Sequence, residues 1–220
     1  ASSGGIVFLD FFPGREVVSE TIPVNFRDFG YAIAVIDSGA DHADLTADYA
    51  SIPQELGGVA AFFGKKVLRE VDEEAFYEKL PEVRAATSDR AVLRAMHIDD
   101  ENRRVLLARA ALKAGDMDGF FRQLNESGLS SQLLLQNIIP SGSDTRQALS
   151  YTIACAKRLL DGEGAARVQG GGFAGTILTF VPLARLDSFC AEMDRVLGRK
   201  SCHVLSVRPV GGVLLEEVRG

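Results

Sequence analysis

The sequence predicts an α+β fold, a mostly antiparallel sheet with helices packed on one face, over a single domain spanning residues 1–220. Short β-rich runs stand at both ends of the chain with helical patterns between them. The first three runs are separated only by tight turn clusters, which is the spacing of antiparallel strands. The closing third alternates strand, turn, strand, helix, strand, and the 46% hydrophobic content is ample for a core.

In order, residues 6–12, 16–24 and 31–38 read as strands, divided by Pro13-Gly14 and by Asp28-Phe29-Gly30. The third, Tyr31-Ala-Ile-Ala-Val-Ile36, is the most apolar and ends in a polar loop, Asp37-Ser-Gly-Ala-Asp-His42. Residues 45–63 form one helix with a start or kink near Pro53, and Asp72 opens another whose Glu73 and Glu74 favour the helix dipole. Ser88 or Asp89 caps a long helix ending at Gly115, with a possible polar break over 99–102. Met117, Phe120, Phe121 and Leu124 repeat at helical spacing over 116–125 and are core. Ser143 or Asp144 caps a helix to about Leu160. Strands over 165–169, 177–181 and 202–207, a helix over 186–197 and a final apolar run over 212–218 complete the chain.

The stretch that asks for a special explanation is Gln169 to Gly175, in which four of the six residues from Gly170 onward are glycine. Glycine is needed where φ is positive or where another group must come close, and it costs conformational entropy on folding. Gly170, Gly172 and Gly175 match G-x-G-x-x-G, but a dinucleotide loop leads from a strand into a helix, whereas this one leads into the strand Ile177-Leu-Thr-Phe-Val181. A tight turn, with or without a ligand, is what the residues support.

The net charge of −6 argues against nucleic-acid and anionic-membrane partners. Cys155, Cys190 and Cys202 lack metal-ligand spacing and are odd in number, so they read as buried thiols in a reducing, cytoplasmic setting. No apolar run reaches membrane-spanning length, and no initiator Met precedes Ala1, which reads as a cut inside a longer protein. Asp37, Asp41, His42, Asp44 and Asp48 crowd one loop and helix start without a convergent metal-ligand pattern, so no metal site is assigned. His97 reads as a packed structural histidine, and Gly128-Leu-Ser-Ser131 as a helix connection without the lysine of a phosphate loop.

Several separated segments resemble the C-terminal half of the galactokinases, within the GHMP sugar-kinase superfamily. Arg94-Ala-Met-His97, Glu101-Asn102, Arg104-Val105 and Gly115-Asp116 resemble the family's R-A-x-H, E-N, R-V and G-D helix; Phe120 with Leu124-Asn-Glu-Ser127 resembles the element after it. Arg167-Val-Gln-Gly-Gly-Gly-Phe-Ala-Gly175 resembles the third motif, R-M-T-G-G-G-F-G-G, and His42 with Tyr49 has the spacing of H-x-L-x-x-x-E-Y. The resemblance implies the GHMP C-terminal, ferredoxin-like fold and an ATP-dependent kinase acting on the anomeric hydroxyl of galactose or a related sugar. It implies that Tyr49 and His42 bind substrate and that Gly170, Gly171, Gly172, Phe173 and Gly175 support the phosphate loop. The catalytic aspartate, and most contacts to ATP and Mg, would belong to the protein's own N-terminal half, so this stretch alone would be inactive. Asp41, Gly128, Ala174 and Ala50-Ser-Ile-Pro53 depart from the family pattern. These departures admit a second reading, a sugar-sensing relative without catalysis.

Overall fold

The structure, a computed structural model, describes residues 4–41 and 45–207. β1 (Gly5–Asp10) and β2 (Val18–Pro23) form an antiparallel hairpin with Gly5 opposite Pro23 and Asp10 opposite Val18. A second sheet has the order β4-β5-β3-β6, where β3 is Tyr31–Asp37, β4 Ala165–Val168, β5 Thr176–Pro182 and β6 Cys202–Leu205. Every neighbouring pair in it is antiparallel, with Ala34 facing Thr179 on one side and Val204 on the other.

Six helices lie between β3 and β4: α1 (Thr46–Phe62), α2 (Glu73–Glu78), α3 (Leu80–Ala86), α4 (Asp89–Ala114), α5 (Met117–Ser130) and α6 (Ala148–Leu160); α7 (Leu186–Leu197) follows β5. Alternation along β3 sends Ala34 and Ile36 to one face of the sheet, where with Ala166, Val168, Ile177 and Val181 they pack on Leu149 and Ala156 of α6 and Phe189 and Met193 of α7. The α+β, antiparallel class is the predicted one, and helices also cover the opposite face. There Ala165, Phe180 and Leu178 meet Phe26, Phe120, Phe121 and Leu112. The reason is in β5 itself: Ile-Leu-Thr-Phe-Val is apolar at both parities, the pattern of a strand buried on two sides. A third core joins α1 to α4 through Val59, Phe76, Val83 and Ala95.

Local chemistry sets the helix ends. Asp72 accepts the N–H of Ala75 at 2.9 Å, Ser88 accepts that of Ala91 at 3.1 Å, and Gly115 closes α4 at φ 71°. The polar break expected at 99–102 is absent, because Arg103 and Arg104 hold Asp100 and Glu101 by pairs three and four residues apart. α5 runs past Asn125 to Ser130 and continues as one π turn, Ser131–Leu135, closed by Gln136 at φ 57°. α6 starts at Ala148, later than the expected cap, since the Ser143 hydroxyl donates to the Arg146 carbonyl and closes a local turn instead. The apolar run 212–218 lies outside the described residues.

Candidate functional site

The glycine turn connects β4 to β5. Beyond the last ladder pair, Val168 with Ile177, the Gln169 N–H donates to the Thr176 carbonyl at 3.1 Å. Gly170, Gly172 and Gly175 have φ of 70°, 84° and 82°, and Phe173, which is not glycine, has 59°. The Ala174 N–H donates to the Gly172 carbonyl at 2.7 Å, a γ-turn centred on Phe173. Such a conformation persists only where the surroundings over-determine it.

They do so from three directions. The Tyr49 hydroxyl, on α1, donates to the Gly172 carbonyl at 2.8 Å, and the Tyr49 ring meets Phe173 edge-on with centroids 5.4 Å apart. Asn137 accepts the Phe173 N–H on its carbonyl and donates its side-chain amide to the Gly171 carbonyl at 3.0 Å. From the end of β3, the Ser38 N–H and hydroxyl both donate to the Gly175 carbonyl, at 2.9 and 2.6 Å. A Cβ on Gly172 would lie 2.1 Å from the Asn137 carbonyl oxygen, and one on Gly171 would lie 2.8 Å from the Tyr49 ring. Both positions therefore require glycine for space, and Gly172 for φ as well. Phe173 and Ala174 are buried against Leu45, whereas Gln169, Gly170 and Gly171 are exposed. The N–H groups of Gly170 and Gly171 have no acceptor among the described residues.

Behind the turn, Arg94 is 2% exposed. It donates to Ser51 and Glu55 of α1, both at 2.9 Å, and to the Leu135 carbonyl at 3.0 Å. Burial opposes its charge, which Glu55 supports. One cation thus ties α4 to α1, which carries Tyr49, and to the π turn, which leads into Asn137.

A second polar cluster joins α4, α5 and β4. Glu101 accepts from the Ser127 hydroxyl and from Arg104, the latter at 2.9 Å, and stands 3.6 Å from Arg167. Burial would raise its pKa, but those hydrogen bonds and the charges of Arg167 and Arg104 outweigh burial and hold it below the usual range. His97 and Ser130 share a 2.8 Å hydrogen bond, and burial lowers the histidine's pKa. Asn125 bonds the Gly164 carbonyl at 3.0 Å and the Ala166 N–H at 3.2 Å. A Cβ on Gly128 would lie 2.9 Å from the Arg167 Cβ, so glycine there lets helix and strand touch.

Of the residues singled out from sequence, Tyr49 and the turn from Gly170 to Gly175 are brought together. His42 and Asp44 lie outside the described residues. Asp37 is held by Arg199 at 2.9 Å, which together with the Gly39 N–H lowers its pKa, and Asp48 accepts from Ser141. Gly128-Leu-Ser-Ser131 is helical, with Gly128, Ser130 and Ser131 buried. Among the described residues no three His, Cys, Asp or Glu side chains gather to hold a metal ion. Sequence reasoning missed Asn137 and read Ser38 only as part of the polar loop after β3. The available signal for Asn137 was a polar residue inside the apolar run Leu133-Leu-Leu-Gln-Asn-Ile-Ile139, with Pro140 behind it.

No family model matches the chain. Among curated proteins, the galactokinase of Glaesserella parasuis serovar 5 is 36% identical over 159 residues, covering 72% of this chain and 39% of that protein. A galactokinase of Actinobacillus pleuropneumoniae is 39% identical over 158 residues, with the same coverage of 72% and 39%. The chain thus spans about two fifths of the length of these relatives. Among solved structures, Lactococcus lactis galactokinase complexed with galactose superposes with a TM-score of 0.71 at 21% identity, over 88% of this chain and 49% of that one. The mevalonate kinase of L. major in complex with R-mevalonate has a TM-score of 0.55 at 12% identity, over 95% and 51%. The first pair carries the sequence relationship and the second pair the fold; together they show that this chain belongs to the galactokinase family, as a C-terminal portion of it.

Proposed function

We propose that residues 1–220 act as the C-terminal domain of an ATP-dependent sugar kinase that phosphorylates the anomeric hydroxyl of galactose or a closely related sugar. The observation that carries this reading is the glycine turn. Its base is fixed by Tyr49, Asn137 and Ser38, while at its exposed tip the N–H groups of Gly170 and Gly171 have no acceptor among the described residues. Phosphoryl transfer depends on positioning and on stabilising charge on phosphoryl oxygens, for which rigid amide donors are suited. When bound, ATP with Mg supplies the phosphoryl group. The described residues fit a phosphate-bearing group through those amides, and following the family resemblance we assign the metal and most ATP contacts, with the catalytic aspartate, to an N-terminal half of the same protein. Tyr49, half-buried beside the turn, and His42 are the residues we assign to the sugar.

The alternative, a sugar sensor without catalysis, rests on departures from the family pattern, and three of these have packing explanations. Gly128 lies where any side chain would strike Arg167, Ala174 is buried against Leu45 and Phe173, and Ser51 accepts a hydrogen bond from the buried Arg94. They read as local compensation in the fold, which favours the kinase. The whole protein, given galactose, ATP and Mg, should release ADP; absence of turnover across a hexose panel, with sugar binding retained, would establish the sensor instead. The 220 residues alone should bind ATP weakly or not at all by calorimetry.

A further inference from the structure

The cysteines carry an inference that is independent of the kinase reading. Cys190 lies on α7 and Cys202 opens β6, and their sulfurs are in direct contact. All three cysteines are free thiols. The approach of this pair is held from outside by Asp194, one helical turn after Cys190, which accepts the N–H of Ser201 at 2.7 Å and that of Cys202 at 2.9 Å. The carboxylate therefore clamps the start of β6 against α7 and keeps the two thiols face to face. Disulfide formation demands just this placement, since cysteines whose Cβ atoms point apart cannot be bridged without backbone movement.

We propose that Cys190 and Cys202 are a dithiol modification site, which a low-molecular-weight disulfide converts into an intramolecular disulfide joining α7 to β6. The Cys190 thiolate attacks one sulfur of the small disulfide, giving a mixed disulfide and releasing one small thiolate. Cys202, its proton lost to solvent, attacks the Cys190 sulfur and releases the second small thiolate. Two protein thiols are oxidised by two electrons, one small disulfide is reduced to two thiols, and the protons end on the released thiolates. Cys190 is the attacking group because it is half-buried, whereas Cys202 is 9% exposed. Burial raises both pKa values, so thiolate is scarce near neutrality and the exchange is slow there, accelerating as pH rises.

The bond would also act on the turn. Residues 198–201, enclosed between the two cysteines, hold the end of β3: the Ser201 carbonyl accepts the Asp37 N–H at 3.0 Å, and Arg199 binds the Asp37 carboxylate. Ser38, next in the chain, holds Gly175. The cross-link thus fixes the strand end on which the glycine turn rests.

Incubation of the folded protein with oxidised glutathione at pH 8, followed by peptide mapping, tests this. We expect a Cys190–Cys202 linked peptide, no link to Cys155, and a melting temperature raised by about 5 °C that dithiothreitol reverses. Cys190→Ser should abolish the link and Cys155→Ser should leave it. Recovery of both peptides as free thiols, a stable glutathione adduct on Cys190 alone, or a link through Cys155 would each overturn the proposal. The wild-type mapping decides it even if a variant does not fold.

Discussion

Two regions of this molecule carry the motifs that resemble one family, and they are built in opposite ways. In the α4–α5–β4 cluster, Glu101 binds Ser127 and Arg104 and faces Arg167, while His97 binds Ser130, so side chains of neighbouring elements are paired with one another. In the glycine turn the bonds come inward from Tyr49, Asn137 and Ser38, and they leave the N–H groups of Gly170 and Gly171 without an acceptor among the described residues. The first arrangement holds helices to a strand. The second holds a strained backbone so that two donors stay available at the surface. A shared sequence motif is therefore not evidence of a shared role.

Substitutions should separate the two regions, and the largest effect is expected at the turn's base. Gly172→Val places a β-branched side chain at φ 84° and about 2 Å from the Asn137 carbonyl, and should cost on the order of 3 kcal/mol in urea unfolding. Wild-type stability in that variant would mean the turn relaxes freely. Glu101→Gln removes the charge that faces Arg104 and Arg167 and should cost about 2 kcal/mol while leaving the KM for sugar unchanged; a raised KM would make this cluster part of the site. Tyr49→Phe loses one hydrogen bond to the Gly172 carbonyl and should cost only about 1 kcal/mol of stability. In the whole protein it should nonetheless raise the KM for sugar, the reverse of the Glu101 result.

One further effect belongs to neither region. Asp99, on α4, is pushed up to about 6, first by burial and then by Glu73. Between pH 4 and 6 the folded chain binds this proton and the unfolded chain, with an ordinary carboxyl near 3.9, does not. Stability from this group is thus present below about pH 4 and lost as pH rises through 6. Asp99→Asn should flatten that part of the melting profile and raise the melting temperature at pH 7; an unchanged profile would show that the carboxyl titrates normally.

Much of the fold was legible because its signals are local. Ser88 and Asp72 cap the helices that their spacing predicts, Gly115 ends α4, and α7 occupies residues 186–197 as read. The continuity of α4 through Asp99 to Asn102 was not, since single residues of low helix propensity are held there by ion pairs to the following arginines. Cover on both faces of the sheet was present in the two-parity apolar pattern of β5, although helices were expected on one face only. At the site, the glycines announced an unusual backbone, but its partners come from 34 and 123 residues away. The polar Asn137 stands out in its apolar run, but its partner Gly171 could not be read there, because its bonding depends on where the π turn delivers it.

The comparison rests on the exposed amides of the turn being a ligand surface. Hydrogen exchange on the whole protein, with and without galactose and a non-hydrolysable ATP analogue, tests this most directly. Ligands should slow exchange in the peptide covering residues 169–175 and leave the peptide covering 99–112 of α4 unchanged. Equal exchange in the 169–175 peptide at saturating ligand would contradict the account and reduce the turn to a structural bend.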